Sequence, residues 1–223
     1  MSHAPFKTTK APNLVISEND YKINNEAQFR NQLRLYFNQV DSGFEQILIG
    51  QGGANIDFPH IAAYYDAAQY ATGDNTPTKI LWNNAPDIAG FTLNADNTAT
   101  ANYDGTYKIE YRLQSINTDN ISAHDAVVWM QIDGTDLADS ATKYTIASAK
   151  SAVVPSYAAL TGFVTWEALA GQSVALYWAT EKAYNTTGPV DGVYLEYEAA
   201  QTTPYAHPEI PSSYGVIQYI GRE

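Results

Sequence analysis

With 24 acidic against 12 basic side chains in 223 residues, the chain carries a net charge of −12, which repels a phosphate backbone and argues against nucleic acid as a partner. It has no cysteine, so disulfides, thiolate metal sites and a thiol nucleophile are excluded. No run approaches the ~18 consecutive apolar residues of a membrane span, and 45% hydrophobic with 13% aromatic content suits one large β domain with an appendage or two small domains.

The charge is uneven. Residues 1–40 hold Lys7, Lys10, Lys22, Arg30 and Arg34 against Glu18, Asp20 and Glu26, an excess of +2, which leaves −14 for the remainder. Residues 1–25 show little periodicity. Pro5 and Pro12 discourage helix, and Leu14-Val15-Ile16 is one short apolar run, so the segment reads as an extended arm whose partner, when ordered, is another surface. Its basic excess suits an acidic protein. Lys7, Lys10, Leu14 and Ile16 are the attachment candidates here. Met1 to Lys10 lacks the charged start and apolar run of a secretion signal, and with no cysteine the expectation is folding in a reducing cytoplasm.

A helix is predicted over 26–49, capped by Asn24 or Asn25, with Glu26 in the first turn. Phe29, Leu33, Tyr36 and Val40 recur at spacings of four, three and four, and Ile47 continues the phase after Gly43 interrupts it. Leu35, Phe37 and Phe44 are read as widening the stripe. This apolar stripe fits a surface helix packed on the domain or a short coiled-coil seam around a symmetry axis. Gly50 to Asn55, GQGGAN, reads as a hinge, and the domain boundary is placed at 50–57.

From Phe58 onward about ten strands are predicted, separated by turn chemistry and with no helix between them. They are Ile61–Ala67, Lys79–Trp82, Phe91–Leu93, Thr98–Asn102, Thr106–Ile116, Ala126–Ile132, Thr142–Ala147, Ala158–Leu169, Ser173–Thr180 and Val193–Ala199, followed by a closing strand, Tyr214–Arg222. The clearest is the fifth. Tyr107, Ile109, Tyr111 and Leu113 alternate with Lys108, Glu110 and Arg112, a period of two with one dry face and one wet face. Asp104-Gly105 ahead of it reads as a turn needing a positive φ, and after a polar loop Ala126–Ile132 reads as a return strand ending at Asp133-Gly134. Gln201 to Ser213, with Pro204, Pro208 and Pro211, reads as an extended loop before the last strand. Many strands without helical crossovers predict an antiparallel sandwich or barrel, and the late return of the last strand predicts Greek-key order.

Chemistry-bearing residues are sparse. His3, His60, His124 and His207 fall in different predicted elements without metal-ligand spacing. Asp133, Asp136 and Asp139 in DGTDLAD lack the ligand spacing of a calcium loop, and Tyr144 stands where the bidentate Glu would be. Glu110, Glu167, Glu196 and Glu198 could pair as glycosidase carboxyls, but outward Glu residues on a sheet read as a solvated face. No Gly-x-Ser-x-Gly elbow occurs. No cofactor, metal or catalytic residue is assigned, and no enzyme is expected. Of the four tryptophans, Trp166 and Trp178 keep period-two company with core residues, which leaves Trp82 and Trp129 as the freer candidates for a sugar platform.

Four pieces resemble the jelly-roll domain of the complement and tumour-necrosis-factor superfamily. They are Tyr103-Asp104-Gly105-Thr106-Tyr107-Lys108-Ile109, Ile132-Asp133-Gly134-Thr135, Leu169-Ala170-Gly171-Gln172-Ser173-Val174-Ala175-Leu176, where Gln172 replaces an Asp of the pattern, and the closing strand. A Pro-bearing arm, a helix like Phe29 to Phe37 (FRNQLRLYF) and a late phrase like His207 to Ser212 (HPEIPS) make the order similar to virion structural proteins of tailed bacteriophages. The resemblance implies a mainly β, antiparallel jelly-roll sandwich over 58–223, preceded by the arm and one helix. It implies a non-enzymatic homotrimer in the virion: a capsid decoration (cement) or head-fibre protein bound to the major capsid protein or another virion protein. Attachment is expected through Lys7, Lys10, Leu14 and Ile16 and through the helical stripe Phe29, Leu33, Tyr36 and Val40. The alternative is a tail-fibre or connector protein that contacts a host surface glycan through Asn117–Asp125 and Tyr184–Asp191, and a third reading is a soluble lectin unrelated to any virus.

Overall fold

A computed structural model describes residues 23–48, 58–151, 153–185, 191–203 and 206–221. The chain divides into two units, Met1–Asp57 and Phe58–Glu223, each described by itself. The predicted arm up to residue 22, with Lys7, Lys10, Leu14 and Ile16, and the predicted hinge, 50–57, lie outside the described residues.

In the first unit, helix α1 spans Ile23–Leu48. It starts three residues ahead of the predicted 26 and includes both residues proposed as its cap. It also continues through Gly43 without a break. One glycine costs a helix interior only ~1 kcal/mol, which 26 residues of otherwise continuous helix absorb. Glu26 in the first turn pairs with Arg30 one turn on, in the favourable acidic-first order.

The second unit is an antiparallel sandwich. One sheet has the order β10 (Ser156–Ala168), β6 (Gly105–Asn117), β13 (Ser213–Gly221), β1 (His60–Tyr65), β3 (Asn84–Ala89), with β12 (Val193–Leu195) also pairing β6. The other has the order β4 (Phe91–Leu93), β5 (Ala99–Ala101), β11 (Ser173–Thr180), β7 (His124–Ile132), β8 (Thr135–Asp136), with β2 (Thr78–Lys79) pairing β11 and β9 (Thr142–Ile146) pairing β7. Successive long strands cross between the sheets, and β13 comes back to lie between β6 and β1, which makes the fold a jelly roll. Ala126–Ile132 therefore does not return beside β6. It lies in the opposite sheet, paired with β11 and β9.

The core is built from the alternation in the sequence. Tyr107, Ile109, Tyr111 and Leu113 of β6 are buried, as are Val128 and Met130 of β7, Leu160 and Trp166 of β10, and Leu176 and Trp178 of β11. Strand β3 lies between the predicted strands and carries Pro86, which lacks an N–H and pairs with no residue of β1. It stands on the edge strand at the register irregularity opposite Ala62–Tyr64, the kind of place where a sheet tolerates proline. Asp133 (φ 48°) and Gly134 (φ 78°) form the two-residue turn joining β7 to β8, with Ile132 opposite Thr135. Gly105 corrects the positive-φ reading: it opens β6, and a Cβ there would lie 2.6 Å from the Tyr219 ring, so close approach rather than a turn demands glycine. The Pro-rich connection is also more than a loop, because Gln201 and His207 exchange two 3.0 Å backbone hydrogen bonds.

Candidate functional site

On α1, at about 100° per residue, Phe29, Leu33, Tyr36 and Val40 share one stripe roughly 60° wide. Phe37 borders it, whereas Leu35 lies about 120° from Phe29 and does not widen it. Leu35 and Phe37 are 59% and 57% exposed, Phe29 is exposed, and Leu33, Tyr36 and Val40 are half-buried.

In the sandwich, the predicted receptor loop Asn117–Asp125 bonds to Gly192, just past the other predicted loop, Tyr184–Asp191, of which residues 186–190 lie outside the described residues. Thr118 N–H donates to the Gly192 carbonyl (3.0 Å), and Ala149 N–H donates to the Asp119 carbonyl (2.7 Å), which brings in the loop after β9 as well. The β6–β7 loop is built on Asn117, fully buried, whose Nδ2 donates to the Ser122 and Ala147 carbonyls at 3.1 and 3.0 Å. Asp119 Oδ1 accepts from the Ile121 N–H (2.7 Å), and its Oδ2 lies 2.9 Å from His124 Nε2. These bonds, the Ile121 N–H first, hold the Asp119 carboxyl below the usual range. These loops display Ile121 and Val153, 84% and 86% exposed.

Beside these loops three tyrosines from distant parts of the chain come together. Gln69 exchanges backbone hydrogen bonds with Leu195 (2.8 and 2.9 Å), and Tyr184 N–H donates to the Val193 carbonyl (3.1 Å). Tyr70, Tyr184 and Tyr194 are consequently neighbours, with ring centroids 5.6 Å apart for Tyr70–Tyr184, 5.3 Å for Tyr70–Tyr194 and 4.7 Å for Tyr184–Tyr194. Gln69 is fixed by its own side chain: Oε1 accepts from Leu81 N–H (2.8 Å), and Nε2 donates to the buried hydroxyls of Ser212 and Ser213 (3.0 Å each). Tyr194 and Tyr157 flank Ile116 on the neighbouring strands, and Ile116 is 2% exposed although it faces away from the inter-sheet core. Burial raises the Tyr194 phenol and, with the nearby Glu198 charge, the Glu196 carboxyl.

Tyr70 and Tyr184 line an open cleft of about 400 Å³ together with Ala71, Thr72, Gly73, Asp74, Ala183 and Asn185. Asp74 Oδ1 accepts from Ala183 N–H (2.8 Å), which ties the two sides of the cleft together. Sequence reading reached Tyr184 through its loop but missed Tyr70, Asp74 and Tyr194. Neither spacing nor alternation links Tyr70 and Asp74 to residues more than a hundred positions on, and Tyr194 falls on the outward side of the predicted strand Val193–Ala199, opposite Val193 and Leu195.

The other candidates have local structural duties. Asp133 accepts from Ser173 N–H and Oγ (2.8 and 3.0 Å), and Asp136 from Trp129 Nε1 and Gln131 Nε2 (2.8 and 2.9 Å), so two of the DGTDLAD carboxylates hold the hairpin. Trp129 stacks on Tyr177, with centroids 5.9 Å apart. Trp82 packs on the core and closely over Gly215. His60, His124 and His207 each face a different carboxylate: Asp87, Asp119 and Glu198. Among the described residues no three His, Asp or Glu side chains are grouped to hold a metal, and no helix is long and apolar enough to cross a membrane. Glu110 is paired with Lys108 Nζ (2.5 Å) and Glu198 with Gln201 Nε2 (2.5 Å).

No protein-family model matches the chain, and no curated protein matches it. Among solved structures, the globular domain of the zebrafish complement 1qA protein is similar in fold, with a TM-score of 0.42 at 10% identity over 74% of this chain and 99% of that domain.

Proposed function

We propose that this protein is a non-enzymatic structural component of a tailed-bacteriophage particle, a homotrimeric decoration or head-fibre protein that projects its jelly roll from the virion surface. The observation that carries the reading is the order of parts: a Pro-bearing basic arm, a helix with a four-three-four apolar stripe, then a jelly roll. The stripe of Phe29, Leu33, Tyr36 and Val40 is the seam between copies, and the arm with Lys7, Lys10, Leu14 and Ile16 grips the major capsid protein or another virion protein. Three arms per trimer turn weak contacts into avidity through effective concentration. Mass measurement of the full chain in solution tests the trimer. Removal of residues 1–25 is expected to leave a folded trimer that no longer binds particles, and undiminished particle binding would refute the attachment role.

The cleft between Tyr70 and Tyr184 favours a second reading, a fibre or connector protein that meets a host surface glycan. Copy number separates the two: hundreds per particle for decoration, about a dozen for a fibre.

A further inference from the structure

The chemistry of the Tyr70–Tyr184 cleft is narrower than that of a generic surface depression. Its walls combine two aromatic rings with a carboxylate (Asp74), a carboxamide (Asn185) and a hydroxyl (Thr72). Its volume of about 400 Å³ falls within the ~300–1,000 Å³ typical of small-ligand sites.

Three ligand classes can be separated on this geometry. A quaternary ammonium ion needs several ring faces turned toward one empty point. Here the three rings lie against one another at 4.7–5.6 Å, and the space between them is already filled by ring on ring. An anionic ligand needs a cation, but the described residues lining the cleft include no Lys, Arg or His, while Asp74 is among them and the whole chain is at −12. A wholly apolar ligand would take the Asp74 carboxylate out of water at a desolvation cost, although one of its oxygens keeps the Ala183 N–H. What remains is a neutral molecule with one apolar face and a rim of hydroxyls.

We infer that the cleft binds a neutral saccharide, packing the C–H face of a pyranose ring against the aromatic wall that Tyr70 and Tyr184 form together, while its hydroxyls bond to Asp74, Asn185 and Thr72. A carboxylate accepts from two hydroxyls, and a carboxamide both donates and accepts, which matches the adjacent hydroxyls of a hexose. Tyr194 does not line the cleft. It packs against both other rings and holds them in place, so the platform is organised before ligand arrives and loses little freedom on binding.

The inference rests on the receptor reading for its biological setting only, and soluble saccharides test the site apart from any particle. Saturation-transfer NMR and calorimetry on the full chain would use maltotriose, N,N′,N″-triacetylchitotriose and a galactose disaccharide as probes, with sialyllactose and choline as contrasts. At least one neutral probe is expected to bind and the contrasts are not. Asn185→Ala and Tyr184→Ala should each weaken that binding about tenfold or more, whereas Tyr70→Phe, which keeps the ring, should retain it. Should Tyr184→Ala fail to fold, Asn185→Ala and Asp74→Asn carry the test, since both residues are exposed. Binding of no neutral probe, binding of sialyllactose or choline instead, or neutral binding that survives Asn185→Ala and Asp74→Asn unchanged would each overturn the inference. Adsorption of labelled protein to host cells is a separate experiment, and its failure would count against the receptor reading alone.

Discussion

Gly162 on β10 lies directly opposite Tyr111 on β6, and the Tyr111 phenol occupies the place a side chain at Gly162 would need. The vacancy lets that phenol lie over the neighbouring strand, where it meets Tyr144 of the other sheet. Tyr144 Oη donates its one proton to the Thr161 carbonyl (2.7 Å), so Tyr111 Oη must be the donor in their 2.9 Å hydrogen bond. Three strands, β6, β9 and β10, are thereby tied by two hydroxyls in a partly buried setting that also raises the Tyr144 phenol. Gly162→Ala should destabilise the sandwich by about 1–3 kcal/mol, the range for overpacking a fitted core. In a Tyr111→Leu background the same substitution should cost much less. Chemical denaturation of the four proteins measures the coupling, and equal costs in both backgrounds would refute the fit.

Gly105 and Gly134 need to be glycine for different reasons. Gly134 sits at φ 78° with nothing near a would-be Cβ, so Gly134→Ala should cost about 1 kcal/mol of backbone strain. Gly105 has no such conformation, yet a Cβ there meets the Tyr219 ring. Gly105→Ala is expected to be the worse of the two, and a Tyr219→Ala background should relieve Gly105→Ala but leave Gly134→Ala unchanged. Thermal midpoints of the set decide it.

Glu196 gives a pH signature. Burial, with Glu198 nearby, raises its folded carboxyl above the ordinary 4.5. The folded state therefore holds its proton more tightly than the unfolded chain does. This group's contribution is fully present below 4.5 and is lost as pH rises through the raised folded value. Glu196→Gln should accordingly stabilise the protein at pH 7 and change little at pH 4. A denaturation series at both pH values reads the difference, and a Glu196→Gln protein less stable at pH 7 would contradict it.

Asp119 runs the other way. Its carboxyl is held low by the Ile121 N–H and His124, so its contribution is present above 3.8 and lost as pH falls through the depressed value. Asp119→Ala should loosen the β6–β7 loop at neutral pH, costing about 1 kcal/mol for the lost hydrogen bonds. Hydrogen exchange should speed up at the Ile121 and Ser122 amides, which donate to this carboxylate.

The seam proposed for α1 predicts what breaking its stripe does. Leu33→Gln with Val40→Gln is expected to lower the solution mass of the full chain from trimer toward monomer, while Leu35→Gln, off the stripe, leaves it unchanged. The dichroism of the β unit should be the same in all three proteins.

Sequence alone determined the fold class. The two-residue alternation of Tyr107 to Leu113 names its buried face without a partner, because a strand's side chains alternate whatever lies opposite. Asp133-Gly134 likewise specifies its own turn. The helix was legible too, though not its start or its passage through Gly43, since helix ends are set by a few competing hydrogen bonds. Only the tertiary structure decided that β7 belongs to the other sheet, that Pro86 sits harmlessly on an edge, and that Gly105 and Gly162 yield space to Tyr219 and Tyr111. The Tyr70, Tyr184 and Tyr194 platform is of the same kind. Its members meet because Gln69 and Tyr184 bond to the strand carrying Tyr194, and contacts between residues so far apart in sequence leave no local pattern to read.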